Sequence, residues 1–356
     1  MNERELARIL ELPVCPAFTV EDGRLRLVND KAAAMLLRPG DPVEPLLATG
    51  AAELAAFTDG CLCLTVRIGS EVRPAAVELL EGRQVFFLEE RRSGEGLELL
   101  ALAAQKLRAP LGDVMAAADG LFPALAHWED PGLQEKMARM NRGLYQLLRL
   151  IGNLSDAQGY LLGEAALQAE QTELGAFFGE LLEKAGDLGV ESGVHIGYTA
   201  PEEPVLGLVD RQKLERAVYN LLANALRAAP KGSTIRCELR AQRDRAWLSV
   251  SDSGRQRFTE GDLFARYRRD PAVDAGGLGL GLPLARQVAA LHKGALLLRQ
   301  GPEGMTAVLS VALQGAGEAA LASQLRQPDY AGCRDHCLLE LAEVLPLEAY
   351  AVGNIN

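Results

Sequence analysis

Asn220, Asn224 and Arg227 stand four and three residues apart, the spacing that lines side chains along one face of a helix. Leu214, Val218, Leu221, Leu222 and Ala225 fall on the opposite face, so the helix can bury its apolar side and leave a stripe of two carboxamides and a guanidinium to meet a ligand. Downstream, Gly277, Gly279 and Gly281 alternate with leucines. Lacking Cβ atoms, they let the backbone approach an anion closely, and the run from Pro283 reads as a helix whose N-terminus would face phosphate. Glycines also make ordinary turns; it is their pairing with the asparagine helix that carries information. Between the two, residues 246–251 read as a strand ending in Asp252-Ser253-Gly254, where a carboxylate can accept a hydrogen bond from an exocyclic amine. Leu263, Phe264 and Tyr267 begin a polar, structure-poor stretch running to Ala275, the composition of a mobile lid.

In this order the boxes resemble the Bergerat-type ATP-binding domain of sensor histidine kinases, over about Glu173 to Leu313. The asparagine helix is similar to the family's N box, Asp252 to Gly254 to its first glycine box, Leu263 to Tyr267 to its F box and Gly277 to Leu282 to its second glycine box. The resemblance implies ATP and Mg2+ as ligands. Asn224 would coordinate Mg2+, Asn220 would support metal and phosphates, Arg227 would meet a phosphate, and Asp252 would read the adenine amine. Gly254, Phe264, Gly277, Gly279 and Gly281 would complete the site. The chain departs from the family at Gln256, where a second glycine is usual, and at Arg257, where a hydrophobic residue is usual, which bears on lid closure more than on adenine recognition. ATPases sharing this fold carry a glutamate base at the position of Asn220, and a carboxamide cannot take a proton at neutral pH. Rapid ATP hydrolysis is therefore not expected.

Upstream, Leu100, Ala104, Leu107, Leu111, Val114, Ala118 and Leu121 alternate spacings of four and three, and Leu133, Met137, Met140, Leu144, Leu147, Ile151 and Leu154 repeat the pattern. Each is a heptad seam. His127 to Gly132, with Pro131, marks the turn of a helical hairpin. Two such seams hold more apolar surface than one hairpin hides, so a homodimeric four-helix bundle is expected. Leu107, Arg108, Pro110 and Leu111 are similar to the family's phosphoacceptor motif, and this alignment places Gln105 where the family has its histidine and Lys106 where it has an acid. A neutral amide is no nucleophile for phosphoryl transfer, and Lys106 removes the group that would orient an imidazole. Of the four histidines, His127 at the hairpin tip is the strongest substitute on geometry; His195, His292 and His336 read as packing or surface residues.

The 356 residues suffice for roughly two to three domains, and a 48% hydrophobic content is ample for packed cores. A net charge of −11 disfavours broad binding to nucleic acid or anionic membrane. No run approaches the roughly 18 apolar residues of a membrane span, and the N-terminus lacks a signal-peptide layout, so a cytoplasmic location is expected. Six scattered cysteines suggest reduced thiols. Cys61 and Cys63 share a strand face as core thiols or a redox pair; Cys333, His336 and Cys337 have the spacing of a partial ligand set or of a helix start with incidental thiols.

The expected fold is α+β multidomain. Residues 1–90 form an α+β unit whose Asp22-Gly23 hairpin, asparagine and small helix resemble a PAS sensor domain. Residues 91–160 form the dimerisation hairpin, 161–314 an α/β sandwich of the Bergerat type, and 315–356 a helical tail with helices at 316–327 and 333–344. The leading functional expectation is an ATP-binding, sensor-kinase-like protein of two-component signalling that has lost autophosphorylation and engages a response regulator or partner kinase. An active kinase with an unconventional acceptor and a nucleotide-free dimeric scaffold are the alternatives.

Overall fold

The computed structural model describes residues 15–80, 82–89, 95–125, 127–128, 130–162, 165–189, 192–254, 280–313, 331–332 and 334–355. The chain opens with a hairpin of β1 (Ala17–Glu21) and β2 (Arg24–Val28). Its turn residues, Asp22 and Gly23, both have positive φ, 52° and 71°, which matches a two-residue turn to the twist of the strands. Asn29 caps α1 (Asp30–Ala34) by accepting from Ala32 N at 2.9 Å, and ties it to β1 by accepting from Ala17 N at 3.0 Å. After α2 (Ala51–Ala55) come β3 (Cys61–Ile68), β4 (Glu71–Leu80) and β5 (Arg83–Leu88). The five strands lie antiparallel in the order β2-β1-β5-β4-β3. Phe18 and Phe86 stack at 4.8 Å in an interior completed by Leu25, Leu54, Phe57 and Leu62.

Helices α3 (Glu95–Leu125) and α4 (Pro131–Leu162) form the expected hairpin, with Asp130 accepting from Gly132 N at the turn. The heptad seams divide, however. Ala104, Leu111, Ala118, Met137, Leu144 and Ile151 are buried, whereas Leu107, Val114, Leu121, Met140 and Leu147 are each about half exposed. A hairpin presents each helix with one neighbour, so alternate seam positions find cover inside the chain and the rest stay on the outside.

The remaining strands and helices form a second α+β unit. β6 (Glu170–Glu173) pairs with β8 (Leu206–Val209) beside α5 (Leu174–Gly189). β7 (His195–Thr199), β9 (Thr234–Gln242), β10 (Arg245–Ser251), β11 (Leu296–Gly301) and β12 (Gly304–Ala312) make a sheet in the order β11-β12-β10-β9-β7, on which α6 (Arg211–Ala228) and α7 (Gly281–Leu291) pack. Asp210 caps α6 by accepting from Lys213 N at 3.1 Å. His292, at the end of α7, donates from Nδ1 to Val288 O at 2.8 Å and accepts from Asp210 N through Nε2 at 3.0 Å. The imidazole thereby joins the C-terminus of one helix to the N-terminus of the other in a single neutral tautomer.

The two sheets are one. β3 pairs antiparallel with β11, Leu62 opposite Leu297, giving ten continuous strands. Gly60 permits the approach: a Cβ there would lie 2.3 Å from the carbonyl oxygen of Leu298. Ion pairs flank the joint, Arg286 to Glu89 at 2.6 Å, Arg245 to Glu53 at 2.9 Å and Arg299 to Asp59 at 2.6 Å.

At the C-terminus, α8 (His336–Glu340) is shorter than the helix expected over 333–344; turns continue to Val344, and Pro346 disfavours helical backbone before it. A 3-10 turn (Leu347–Tyr350) and α9 (Val352–Ile355) follow. The expected helix over 316–327 lies outside the described residues.

Burial holds the pKa of His292 below its ordinary 6.5. The unfolded chain therefore takes up this proton first, and the stability contributed by the neutral imidazole, full above pH 6.5, is lost as pH falls towards the depressed folded value. In paired urea titrations across that window, wild type should lose more stability than His292→Leu, which should itself be roughly 1–3 kcal/mol less stable at neutral pH because Asp210 N loses its acceptor.

Candidate functional site

The polar stripe expected on residues 220–227 exists, and it begins a turn earlier. Arg216, Asn220, Asn224 and Arg227 follow one another along α6, while Leu214, Val218, Leu221 and Leu222 are buried. Asn220 is 2% exposed and lies beside Gly281 at the start of α7, where a Cβ would approach its Oδ1 to 3.1 Å. The first residue of a helix thus meets a carboxamide closely enough that an added Cβ would be tight against it, the close approach that an anion cradle at a helix N-terminus needs.

Asp252 follows β10. Its Oδ1 accepts from Gly254 N at 2.8 Å, and a Cβ on Gly254 would sit 2.8 Å from the Ala228 carbonyl oxygen at the end of α6. Burial raises the carboxyl pKa of Asp252, partly offset by backbone hydrogen bonds from Gly254 and Met305. Next to it, the buried Ser253 Oγ has no hydrogen-bond partner among the described residues, an orphan that a ligand or the neighbouring chain would satisfy. Phe264, Gly277 and Gly279 lie outside the described residues, as does the expected lid.

Sequence reasoning left the stripe open to a ligand, whereas here it faces the chain itself. Arg149 of α4 donates from Nη2 to Asn220 Oδ1 at 3.0 Å. Arg216 donates from Nε to Glu340 Oε1 at 2.9 Å, from Nη2 to Asn153 Oδ1 at 3.0 Å, and from Nη1 to Asp156. Arg149 also lies 3.4 Å from Glu340 Oε2 and 3.3 Å from Glu343 Oε1. Arg227 pairs with Glu343 at 2.7 Å and donates to Asn224 Oδ1 at 3.3 Å. Glu340 is fully buried. Arg149, Glu340 and Glu343 were missed, although the signal was present: each of the first two is a charge set in an apolar run, Leu147 to Ile151 and Leu338 to Ala342.

Gln105 and Lys106 are exposed on α3. One turn on, Arg108 enters the wall of a cavity of about 900 Å3 that separates α3 and α4 from α6 and α7 and includes Gly112, Gly152, Asp156, Arg216 and Asn220. His127 is exposed at the hairpin tip. His195 starts β7, and His336 pairs with Glu215 at 2.9 Å. Cys337 is buried, its thiol pushed up to about 12 by burial. Among the described residues no group of three metal-ligating side chains occurs, and Cys333 is not one of those residues. Cys61 and Cys63 are both free and buried against the joint between the sheets.

Residues 209–315 match the family described as histidine kinase-, DNA gyrase B-, and HSP90-like ATPase. The sensor histidine kinase MtrB of Mycobacterium tuberculosis is 31% identical over 198 residues, 54% of this chain and 35% of that protein. The sensor protein kinase PmrB of Pseudomonas aeruginosa is 28% identical over 261 residues, 70% of this chain and 51% of that protein. Among solved structures, full-length ShkA in complex with AMPPNP is 22% identical, with a TM-score of 0.48, over 62% of this chain and 47% of that one. The chain spans about a third of the length of its mycobacterial relatives. It is a relative of the sensor histidine kinases, and it carries their ATPase-type domain. No helix among the described residues is long and apolar enough to cross a membrane.

Removing one member of a buried ion pair strands the other. Arg216→Met should therefore cost about 3–5 kcal/mol in urea unfolding, and Glu340→Gln in the same background should recover part of it.

Proposed function

We propose that this chain is a dimeric, nucleotide-binding signalling protein of the two-component type that has lost its own phosphoryl acceptor. One observation supports the reading: an amide and an ammonium, Gln105 and Lys106, are exposed on α3, at the positions that the resemblance to the phosphoacceptor motif gives to a histidine and an acid. Phosphoryl transfer needs an in-line nucleophile, which the Gln105 side chain does not provide.

The fit of Mg-ATP to the site rests on the Gly281 cradle beside Asn220 and on the orphaned Ser253 Oγ beside Asp252. Asn224 would hold Mg2+ through its carboxamide oxygen. Asn220 and Arg227 would support the phosphates, Asp252 would accept from the adenine amine, and Phe264, Gly277 and Gly279 would close the site. Bound Mg2+ supplies charge neutralisation across the phosphate oxygens. The N-terminal unit is read as a PAS-like module. Its apolar interior suits a spacer that transmits a conformational change, and the chain would act in the cytoplasm on a response regulator or a partner kinase.

The half-exposed seam supports a homodimer. Leu107, Val114, Leu121, Met140 and Leu147 recur at sevens on the outer side of the hairpin, and a second copy would bury them at a gain of roughly 25 cal/mol per Å2 of apolar area. Val114→Asp with Leu121→Asp should convert a dimer into a monomer in sedimentation velocity; a wild type that sediments as a monomer would remove the dimer from the proposal.

Incubation of the wild type with labelled ATP should leave no acid-labile phosphate on the chain. Restoring the family's pair by Gln105→His with Lys106→Glu tests whether the remaining parts are competent, and label on the double variant alone is the expected result. Phosphohistidine on the wild type would refute loss of the acceptor.

A further inference from the structure

Residues 334–355 pack against α4 and α6. Two of their carboxylates take up the cations that border the polar stripe of α6: Glu340 lies between Arg149 and Arg216, and Glu343 between Arg149 and Arg227. We propose that residues 334–355 are a releasable strap in which Glu340 and Glu343 stand in for nucleotide phosphates, so that the strap and Mg-nucleotide compete for the same face and its release sets nucleotide affinity. The proposal deepens the nucleotide-binding reading above and rests on it.

The strap is held by polar contacts and by the buried Leu338, Leu339, Leu341, Leu345 and Tyr350. It joins neither sheet. Its backbone carbonyls are instead held by side chains of α4: Arg142 donates to Ala342 O at 3.2 Å and Glu343 O at 3.3 Å, Gln146 to Ala342 O at 3.0 Å, and Asn141 to Tyr350 O at 3.2 Å. Further ion pairs reach three other helices, Arg334 to Asp119 of α3, Lys184 of α5 to Asp335 at 2.6 Å, and Glu215 of α6 to His336. Internally the strap is cohesive, since Tyr350 Oη donates to Leu338 O at 2.7 Å. Such a piece can keep its own turns while it leaves the surface beneath.

The charges define what replaces it. With the strap seated, Arg149 divides its guanidinium between Asn220 Oδ1 and the two glutamates. Once they depart, Arg149, Arg216 and Arg227 each give up a glutamate, Arg216 keeping Asp156, and three guanidinium groups border the carboxamides, a pattern that selects a polyanion with several acceptor oxygens. A triphosphate with its metal has that chemistry. A ligand that binds only the strap-free form has its apparent affinity reduced by the fraction of strap-free molecules. Weakening the strap therefore tightens nucleotide binding even though no residue of the nucleotide site changes.

The test is calorimetric titration of Mg-ATP into the full-length chain and into Glu340→Gln, Glu343→Gln and Arg142→Ala. The last two lie at the edge of the strap, so the measurement survives if loss of the buried Glu340 charge prevents folding. Binding should tighten at least roughly fivefold in the variants, and saturating Mg-ATP should speed hydrogen exchange of the wild-type amides between residues 336 and 350. Equal affinity of wild type and variants, with no change in exchange, overturns the strap and leaves nucleotide binding standing. Absence of binding by wild type and every variant at millimolar Mg-ATP overturns the nucleotide reading, and the competition with it.

Discussion

Two guanidinium groups converge on one carboxylate that has no access to water, and the mutual placement of three segments follows from that meeting. Arg149 comes from the helical hairpin, Arg216 from the helix beneath the candidate site, and Glu340 from the C-terminal segment. Moving such charges out of water costs several kcal/mol per ion, recovered only where geometry supplies each with partners. The three segments are therefore constrained to meet. A purely apolar contact would tolerate sliding by a residue or a turn; a buried charge cluster with Asn153, Asp156 and Asn220 as further partners does not.

A second constraint acts at the joint between the two sheets. Pairing β3 with β11 removes an open edge from each of two sheets, and the residues around the joint are specialised for it. Gly60 clears the Leu298 carbonyl, Glu53 accepts from both Arg245 and Ser310, and Arg286, on the helix that starts at Gly281, holds Glu89 at the exit of β5. Glu89 is the last described residue before the hairpin helices. A displacement of β5 would thus be felt both by α3, through the chain, and by the Gly281 helix, through an ion pair.

Local features were read from the sequence with fidelity. The asparagine helix, the Asp22-Gly23 turn, the hairpin helices and the strands at 61–68 and 246–251 all depend on spacing within one element, and such spacing is written directly into the order of residues. What could not be read depends on encounters between distant segments. Heptad periodicity marks both halves of a seam alike, so it does not say that Ala104 and Leu111 face inward while Leu107 and Val114 face outward. Nor does an edge strand announce its neighbour, and the pairing of Leu62 with Leu297 left no local trace. Glu340 did leave one. A carboxylate amid Leu338, Leu339 and Leu341 cannot be buried alone, and asking which cations could reach it would have pointed to charges equally misplaced in apolar runs, of which Arg149 is one.

The proposed loss of the acceptor and the seated C-terminal segment bear on one another. Transfer from nucleotide to a side chain on α3 would need the ATPase-type domain free to bring the reacting atoms within about 3–3.5 Å and in line. The C-terminal segment opposes that movement, since it binds Asp119 on α3, Asn141 to Arg149 on α4, and Glu215 to Arg227 on α6 at once. A working acceptor would place a premium on freeing those elements for each transfer. On the proposed reading, an amide at residue 105 leaves no transfer to serve, and a tight union of the two units would carry no catalytic cost. In the strap proposal, nucleotide would act through the equilibrium between seated and released forms, as a ligand whose differential affinity moves a population, and the departing segment would uncover a surface of α4 and α6.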